Sequence, residues 1–493
     1  MRGASWWALV ALVVPAVGPS DAPAQVADNP RVQEAVEAVR VWLDAQQAYE
    51  RIPGMSAAIV HDQEVVWSGA FGSSHPDRNT PAATNTLYSI CSISKLFTSI
   101  AVMQLRDRGL VELDAPVEAY LPWYQVRQQY EGSAPVTVQG LLTHASGLPR
   151  ESDHPYWSAP DFPFPTREEI IAGLRNQETL YPAWRTFQYS NLGLSLAGEI
   201  VREVSGVPYD EYVRQNILTP LGMRDTYPEM PEQHRGGQLA DGYGSLTRSG
   251  VREPVPFFQG KGIAPAAGFA STAEDLARFA AWQFRLDGAE EEVLRAHTLA
   301  EMHRVHYVDP EWNTFWGLGF SVSRRGDKTF VGHGGSCPGY RTQLALQKDD
   351  QVATVFLANA MVNTATYVYG IYDLVAEAVR DAAKKSDGPE GGEPPGPSKA
   401  AAGPDLGPFL GTYSGQPWGG ETAAIRWKGG LALMSLPSET PLRAITRLRH
   451  VEGDTFRRIR SDDDLGEAVV FERDGSGRVT GFRQHGNLSP RTR

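Results

Sequence analysis

The sequence predicts an α+β protein: one antiparallel sheet flanked by helices, followed by a small all-β domain. Three observations carry this. A strand hairpin follows directly on an amphipathic first helix. Four strand-like runs come late in the chain, so both ends of one domain supply strands and the helices fill its middle. Beyond a Pro/Gly-rich stretch, residues 405–493 hold short strand patterns and almost no helical period.

The 493 residues exceed what one core accommodates, so at least two domains are expected. With 41% hydrophobic and 21% charged residues, the composition is that of a globular protein. A net charge of −12 with no lysine or arginine run argues against nucleic acid as a partner. Residues 1–24 read as a secretory signal peptide: Arg2, an apolar run from Trp6 to Val17, then Ala22-Pro23-Ala24 before Gln25. That run is too short for a membrane span, and no later stretch reaches the length of one. The expectation is an exported protein, secreted or periplasmic, with no transmembrane anchor once the signal is removed.

The elements follow in order. Val32, Val36, Val39 and Leu43 mark a helix over about 30–50, broken by Pro53-Gly54. Met55 to Val60 and Glu64 to Ala70 form the hairpin, turning at His61-Asp62-Gln63. Leu96, Ile100 and Met103 give a helix that starts near Ser92 and ends near Gly109. Val136 to Leu142 begins another helix, which enters a turn at Thr143 to Pro149. Residues 150–166, rich in proline and aromatics, read as an ordered loop. Asn191 to Val204 is helical, with Leu192, Leu196 and Ile200 on one face. Residues 228–260 read as loop, and Ser271 to Glu274 as a capping box for a helix over 272–285. Leu318 to Ser323, Thr329 to Gly332, Thr342 to Gln347 and Val352 to Ala358 make an antiparallel meander. A last helix carries Val368, Ile371, Val375 and Val379. The first domain thus covers 25–385. Residues 386–404 are a linker by composition, and 405–493 a small β-domain, barrel or sandwich.

The chemistry starts at Ser92-Ile93-Ser94-Lys95. Residues i and i+3 share a helix face, which holds the Lys95 amine beside the Ser92 hydroxyl. The positive end of the helix favours developing negative charge there, and a serine needs such a neighbour to act as a nucleophile. Alone, the pattern reads more readily as a helix-capping serine with a solvated lysine one turn on. Two further clusters tip the balance: Tyr189-Ser190-Asn191 where a loop enters a helix, and His333-Gly334-Gly335-Ser336 at a strand end.

This order of Ser-x-x-Lys, Tyr-x-Asn and His-Gly-Gly resembles the serine β-lactamase and penicillin-binding-protein superfamily. Within it, the chain is similar to the class C β-lactamase-like serine hydrolases, the esterase and D-amino-acid peptidase branch. Leu141 to Pro149, Pro220 to Thr226 and Ala267 to Thr272 match the same branch, so the resemblance covers about 30–385. It implies the β-lactamase/transpeptidase-like fold. Leu410 to Gly415 looks like the start of the lipocalin-like β-domain that follows some members.

The resemblance also implies roles. Ser92 is the nucleophile and forms an acyl-enzyme. Lys95 and Tyr189 share the proton transfers, and the sequence leaves open which of them is the base. Asn191 orients Lys95 or the substrate amide. Backbone N–H groups of Ser92 and Ser336 form the oxyanion hole, and Gly334 and Gly335 allow close approach of substrate. His144, in the shared turn, reads as structural. His333 is a departure, since β-lactamases and cell-wall peptidases usually place lysine there. Histidine is only partly charged near neutrality and suits substrates without a free carboxylate. Cys91 and Cys337, which alone could be unrelated thiols, fall at facing positions of this fold, and the resemblance implies a disulfide between them. The expected activity is cleavage of small-molecule ester, amide or peptide substrates without metal or cofactor. The rivals are a true β-lactamase and a non-catalytic penicillin-recognising or scaffold protein. Oligomeric state and the role of the β-domain stay open.

Overall fold

The computed structural model describes residues 26–285, 293–386, 404–417 and 419–493. The expected signal peptide and all but the ends of the expected linker lie outside the described residues.

Asn29 caps the first helix, α1 (Pro30–Tyr49), its side chain accepting from Arg31 N at 2.9 Å. The hairpin follows as β1 (Gly54–His61) and β2 (Glu64–His75), with Asp62 in the left-handed region at the turn. Then come β3 (Thr80–Pro81), α2 (Ser94–Asp107), α3 (Asn191–Ser205), β4 (Gly242–Leu246), β5 (Arg252–Val255) and α4 (Ala273–Gln283). The late strands are β6 (Tyr307–Val308), β7 (Phe315–Trp316), β8 (Ser321–Arg325), β9 (Lys328–Cys337), β10 (Tyr340–Gln347) and β11 (Val352–Ala358), followed by α5 (Thr364–Ser386).

Among the described residues nine strands form one antiparallel sheet in the order β3-β2-β1-β11-β10-β9-β8-β7-β6. The early hairpin is joined to the late meander by the β1–β11 pair, for example Ala58 opposite Val355. Side chains alternate across the sheet with period two. Ala58, Val60, Val355 and Leu357 face the core shared with α2, α3 and α4. Ala57, Ile59, Phe356 and Ala358 face the core shared with α1 and α5. Both faces are buried, which explains why these strands read as nearly continuous apolar runs.

The β-domain is a meander of β12 (Gly411–Ser414), β13 (Glu421–Trp427), β14 (Gly430–Leu436), β15 (Ile445–Glu452), β16 (Thr455–Ile459), β17 (Leu465–Arg473), β18 (Val479–Gln484) and β19 (Asn487–Pro490). A Tyr413–Arg491 bridge brings the first and last strands together, nearly closing a barrel. Phe409, Tyr413, Phe456, Phe471 and Phe482 pack on one another to fill the interior. The barrel seats on the outer side of α1 and α5. Trp42 Nε1 donates to Ser438 O at 2.8 Å, Ser438 N donates to Gln46 Oε1 at 2.9 Å, and Ile425 and Met434 join the apolar cluster of Val36 and Val39. The α1/α5 layer is therefore covered by the sheet on one side and the barrel on the other.

Two local readings are corrected. Residues 228–260 contain the β4–β5 hairpin, paired from Gly242–Val255 to Leu246–Arg252. Its glycines and Pro254 have poor strand propensity, so its pairing depends on tertiary context. The helix over 273–283 is capped by Thr272, which accepts from Asp275 N at 3.1 Å; no capping box joins Ser271 and Glu274. Ser271 is held in a two-residue strand against Tyr88, and Glu274 accepts from Thr84 Oγ1 at 2.5 Å instead.

Candidate active site

Ser92 sits in a single 3-10 turn, Cys91–Ile93, that runs into α2. The preceding Cys91 holds φ +49, a left-handed conformation that a non-glycine residue adopts only under outside constraint. Two contacts from β9 supply it. A disulfide joins Cys91 to Cys337, with Cα atoms 5.7 Å apart. Next to it, Gly335 lets the strand meet the Ile90 carbonyl: a Cβ there would lie 2.3 Å from Ile90 O and 2.1 Å from Thr342 Oγ1. Thr342 Oγ1 donates to the same carbonyl at 3.1 Å. Gly335 thus serves packing of the strand against the turn that carries Ser92 rather than room for substrate. A Cβ on Gly334 would meet nothing closer than 3.8 Å.

Lys95 is fully buried one turn on. Its Nζ lies 3.2 Å from Ser92 Oγ, 2.8 Å from Asn191 Oδ1 and 2.7 Å from Ala266 O. The last two oxygens only accept, so each takes an N–H. The remaining direction points at the serine hydroxyl, where a neutral amine presents its lone pair. Burial holds the Lys95 pKa well below its ordinary value; Arg150 pushes the same way and Glu151 opposes.

The turn after Leu142 positions the second cluster. Ser190 caps α3, accepting from Gly193 N at 2.8 Å. Its N–H donates to His144 Nδ1 at 3.1 Å and its hydroxyl to Pro149 O at 2.6 Å. Arg150 O accepts from Asn191 N at 2.7 Å. These bonds place Tyr189 over the site, its ring 4.2 Å from the His144 ring and 4.8 Å from Lys95 Nζ. Burial raises the Tyr189 pKa, and a hydrogen bond with Ser92 works against it. His144, depressed chiefly by burial and then by Lys95, is a neutral acceptor that seats the Tyr189–Ser190 backbone.

His333 packs beside Trp316 and Tyr189, with ring centroids 5.5 and 6.2 Å away. Its Nδ1 donates to Gly334 O at 2.6 Å, so the neutral ring carries its lone pair on Nε2, which is buried without a partner. Burial, then the Lys95 charge, pulls its pKa down to about 3. Near neutrality it is uncharged.

Residues 39–377, well over half the chain, match the model of the Beta-lactamase family. The chain belongs to the Beta-lactamase family. It is 29% identical over 337 residues to Beta-lactamase-like protein 2 of Dictyostelium discoideum, covering 67% of this chain and 60% of that protein. It is 32% identical over 189 residues to the D-alanyl-D-alanine-carboxypeptidase/endopeptidase AmpH of Escherichia coli K12, covering 38% of this chain and 49% of that protein. Among solved structures it is similar to the D-amino acid amidase of Ochrobactrum anthropi SV3, at 26% identity and a TM-score of 0.57, over 72% of this chain and 99% of that one.

In this Beta-lactamase-family chain a cleft of about 430 Å³ opens at Ser92. Asn191 and Ser336 line it, with Arg150, Glu151 and Trp157 from the long loop on one side and Gly244 and Val255 of the β4–β5 hairpin on another. Every lining residue precedes 362, so none of the described barrel residues lines the cleft. Ser92, Lys95, Tyr189 and Asn191 converge directly, and His333, Gly335 and Ser336 flank them on β9. Sequence reasoning missed Arg150 and Glu151. Their one signal was position, directly after the turn that ends at Pro149.

Proposed function

We propose that this chain is an exported serine hydrolase that cleaves ester or amide/peptide bonds through an acyl-enzyme on Ser92. The observation that carries this is the Lys95 amine. It is buried, held by two acceptor-only oxygens, and aimed at Ser92 Oγ from 3.2 Å. Ser92 Oγ attacks the substrate carbonyl carbon while Lys95 takes its proton. Backbone N–H groups of Ser92 and Ser336 receive the oxyanion. Tyr189, kept protonated by burial, relays a proton to the departing alcohol or amine, and water then frees the acyl group. This makes Lys95 the base.

The substrate class follows from His333. A neutral ring offers an acceptor where a lysine would offer a cation. The nearby Arg150 guanidinium already lies 3.2 Å from the Glu151 carboxylate and over the Tyr189 ring. Substrates lacking a free carboxylate are favoured, which places esters and amides ahead of β-lactams. The amidase and peptidase names of two similar proteins support an amide bond. Export rests on the N-terminal sequence pattern alone.

A panel of a short-chain p-nitrophenyl ester, a D-alanyl p-nitroanilide and nitrocefin tests this on mature protein beside Ser92→Ala. Turnover of the ester or anilide is expected, falling by roughly 10⁴-fold in the variant. Dominant nitrocefin turnover would overturn the substrate assignment. Activity that survives Ser92→Ala would sink the mechanism.

A further inference from the structure

We propose that Glu151 is a positioning residue of this site: its carboxylate fixes the Asn191 carboxamide and, through it, the amine of Lys95. What that amine does rests on the serine-hydrolase reading above; the contact itself does not.

The geometry runs in one line. Glu151 Oε1 accepts from Asn191 Nδ2 at 2.7 Å, and Asn191 Oδ1 accepts from Lys95 Nζ at 2.8 Å. A carboxamide has one accepting and one donating end. A carboxylate only accepts, so it holds the NH2 end of Asn191 and leaves the oxygen for Lys95. A flipped carboxamide would set N–H against N–H at the lysine and leave Glu151 facing a second acceptor.

Glu151 is itself held. Tyr156 donates its hydroxyl to Oε2, Arg150 Nε lies 3.2 Å from Oε1, and the Glu151 carbonyl accepts from Gln177 Nε2 at 3.2 Å. Its neighbour Arg150 receives the Asn191 and Leu192 N–H groups on its carbonyl, at 2.7 and 3.2 Å. One short segment therefore seats the start of α3 by backbone and sets its first side chain by Glu151. This separates Glu151 from an ordinary rim carboxylate.

Charge adds a second consequence. The titratable and charged groups around Lys95 are Arg150 and Glu151 from the loop, Tyr189 before α3, His144 from the turn and His333 from β9. Glu151 is the carboxylate of that set, and it favours the ammonium form against burial. Glu151→Gln keeps the acceptor and removes the charge. Glu151→Ala removes both.

The test uses the full mature chain labelled with ¹³Cε-lysine, the Lys95 signal being assigned by its absence from Lys95→Met. In Glu151→Gln the Lys95 titration midpoint moves to lower pH, and the ascending limb of kcat/KM for the ester moves with it. In Glu151→Ala kcat falls roughly 10- to 100-fold, with KM changed less than about twofold. Above the ascending limb, where Lys95 is neutral and the charge of Glu151 no longer matters, Glu151→Ala combined with Asn191→Ala is no worse than Asn191→Ala alone, because the remaining effect of Glu151 runs through Asn191. An unmoved Lys95 titration in Glu151→Gln, or full additivity in the double variant, overturns the proposal. If the wild type shows no Ser92-dependent turnover, the hydrolase reading fails, and the lysine titration alone decides the role of Glu151.

Discussion

Gly335→Ala tests whether β9 braces Ser92, the proposed nucleophile. The added methyl would sit 2.3 Å from Ile90 O, a main-chain atom, against an ordinary contact of at least 3.4 Å. Relief needs the turn carrying Ser92 or the strand to retreat by about 1 Å. Overpacking of this kind costs about 1–3 kcal/mol of stability. Movement of a nucleophile on this scale costs about 10²-fold in rate. The assay is the pre-steady-state acylation rate with a p-nitrophenyl ester, alongside a urea unfolding midpoint. Gly334→Ala is the matched control for stability: its Cβ meets nothing closer than 3.8 Å, and its unfolding free energy should stay within about 0.5 kcal/mol of wild type. Wild-type acylation and stability in Gly335→Ala would refute the bracing argument. So would an equal stability loss in both variants, since that would point to a generic effect of alanine in this strand.

Other outcomes are expected. Replacing both Cys91 and Cys337 with serine opens a loop spanning 246 positions and should cost about 3–5 kcal/mol in denaturant titrations; thiol counting on the denatured, unreduced protein should find no free thiol. His303 and His333 have pKa values depressed to about 3, and His144 is depressed too. The unfolded chain, near the ordinary value of 6.5, binds these protons first, while the buried Glu229, raised to about 7, opposes them above about 4.5, so stability should rise with pH between about 3 and 4.5. The slope is about 1.4 kcal/mol per pH unit for each such group; a flat midpoint across that window in a pH series of urea melts would contradict it. Trp42→Ala, at the seam of α1 and the barrel, should cost about 3–5 kcal/mol while kcat and KM stay at wild-type values. A changed KM would mean that the barrel reaches the cleft.

The legible part of the site was the part written in short motifs. Ser92 and Lys95 are one helical turn apart, and Tyr189 and Asn191 flank a helix cap, so local geometry alone puts each pair together. The hairpin and the late meander were legible because both sheet faces are buried there and the strands read as apolar runs. Glu151 was not legible, because the Asn191 it holds lies 40 positions away, the Lys95 beyond that 56 away, and a lone carboxylate in a loop carries no periodicity. The β4–β5 hairpin was hidden for a different reason: glycine and proline give it no strand signature of its own, and it exists through pairing. The proposal of Lys95 rather than Tyr189 as the base rests on burial, which no motif encodes.

The seam at Trp42 has a consequence for the order of events as the chain is made. Helix α1 is among the first elements to emerge, yet one flank waits for α5 and the other for strands near residues 421–438. Until residues 421–438 are available, an apolar surface of α1 stays bare. A nascent chain halted before the barrel would carry that surface into solution, where it invites association with other chains. The strands at 421–436 thus act as a quality check on the first helix, since a chain that lacks them cannot cover it.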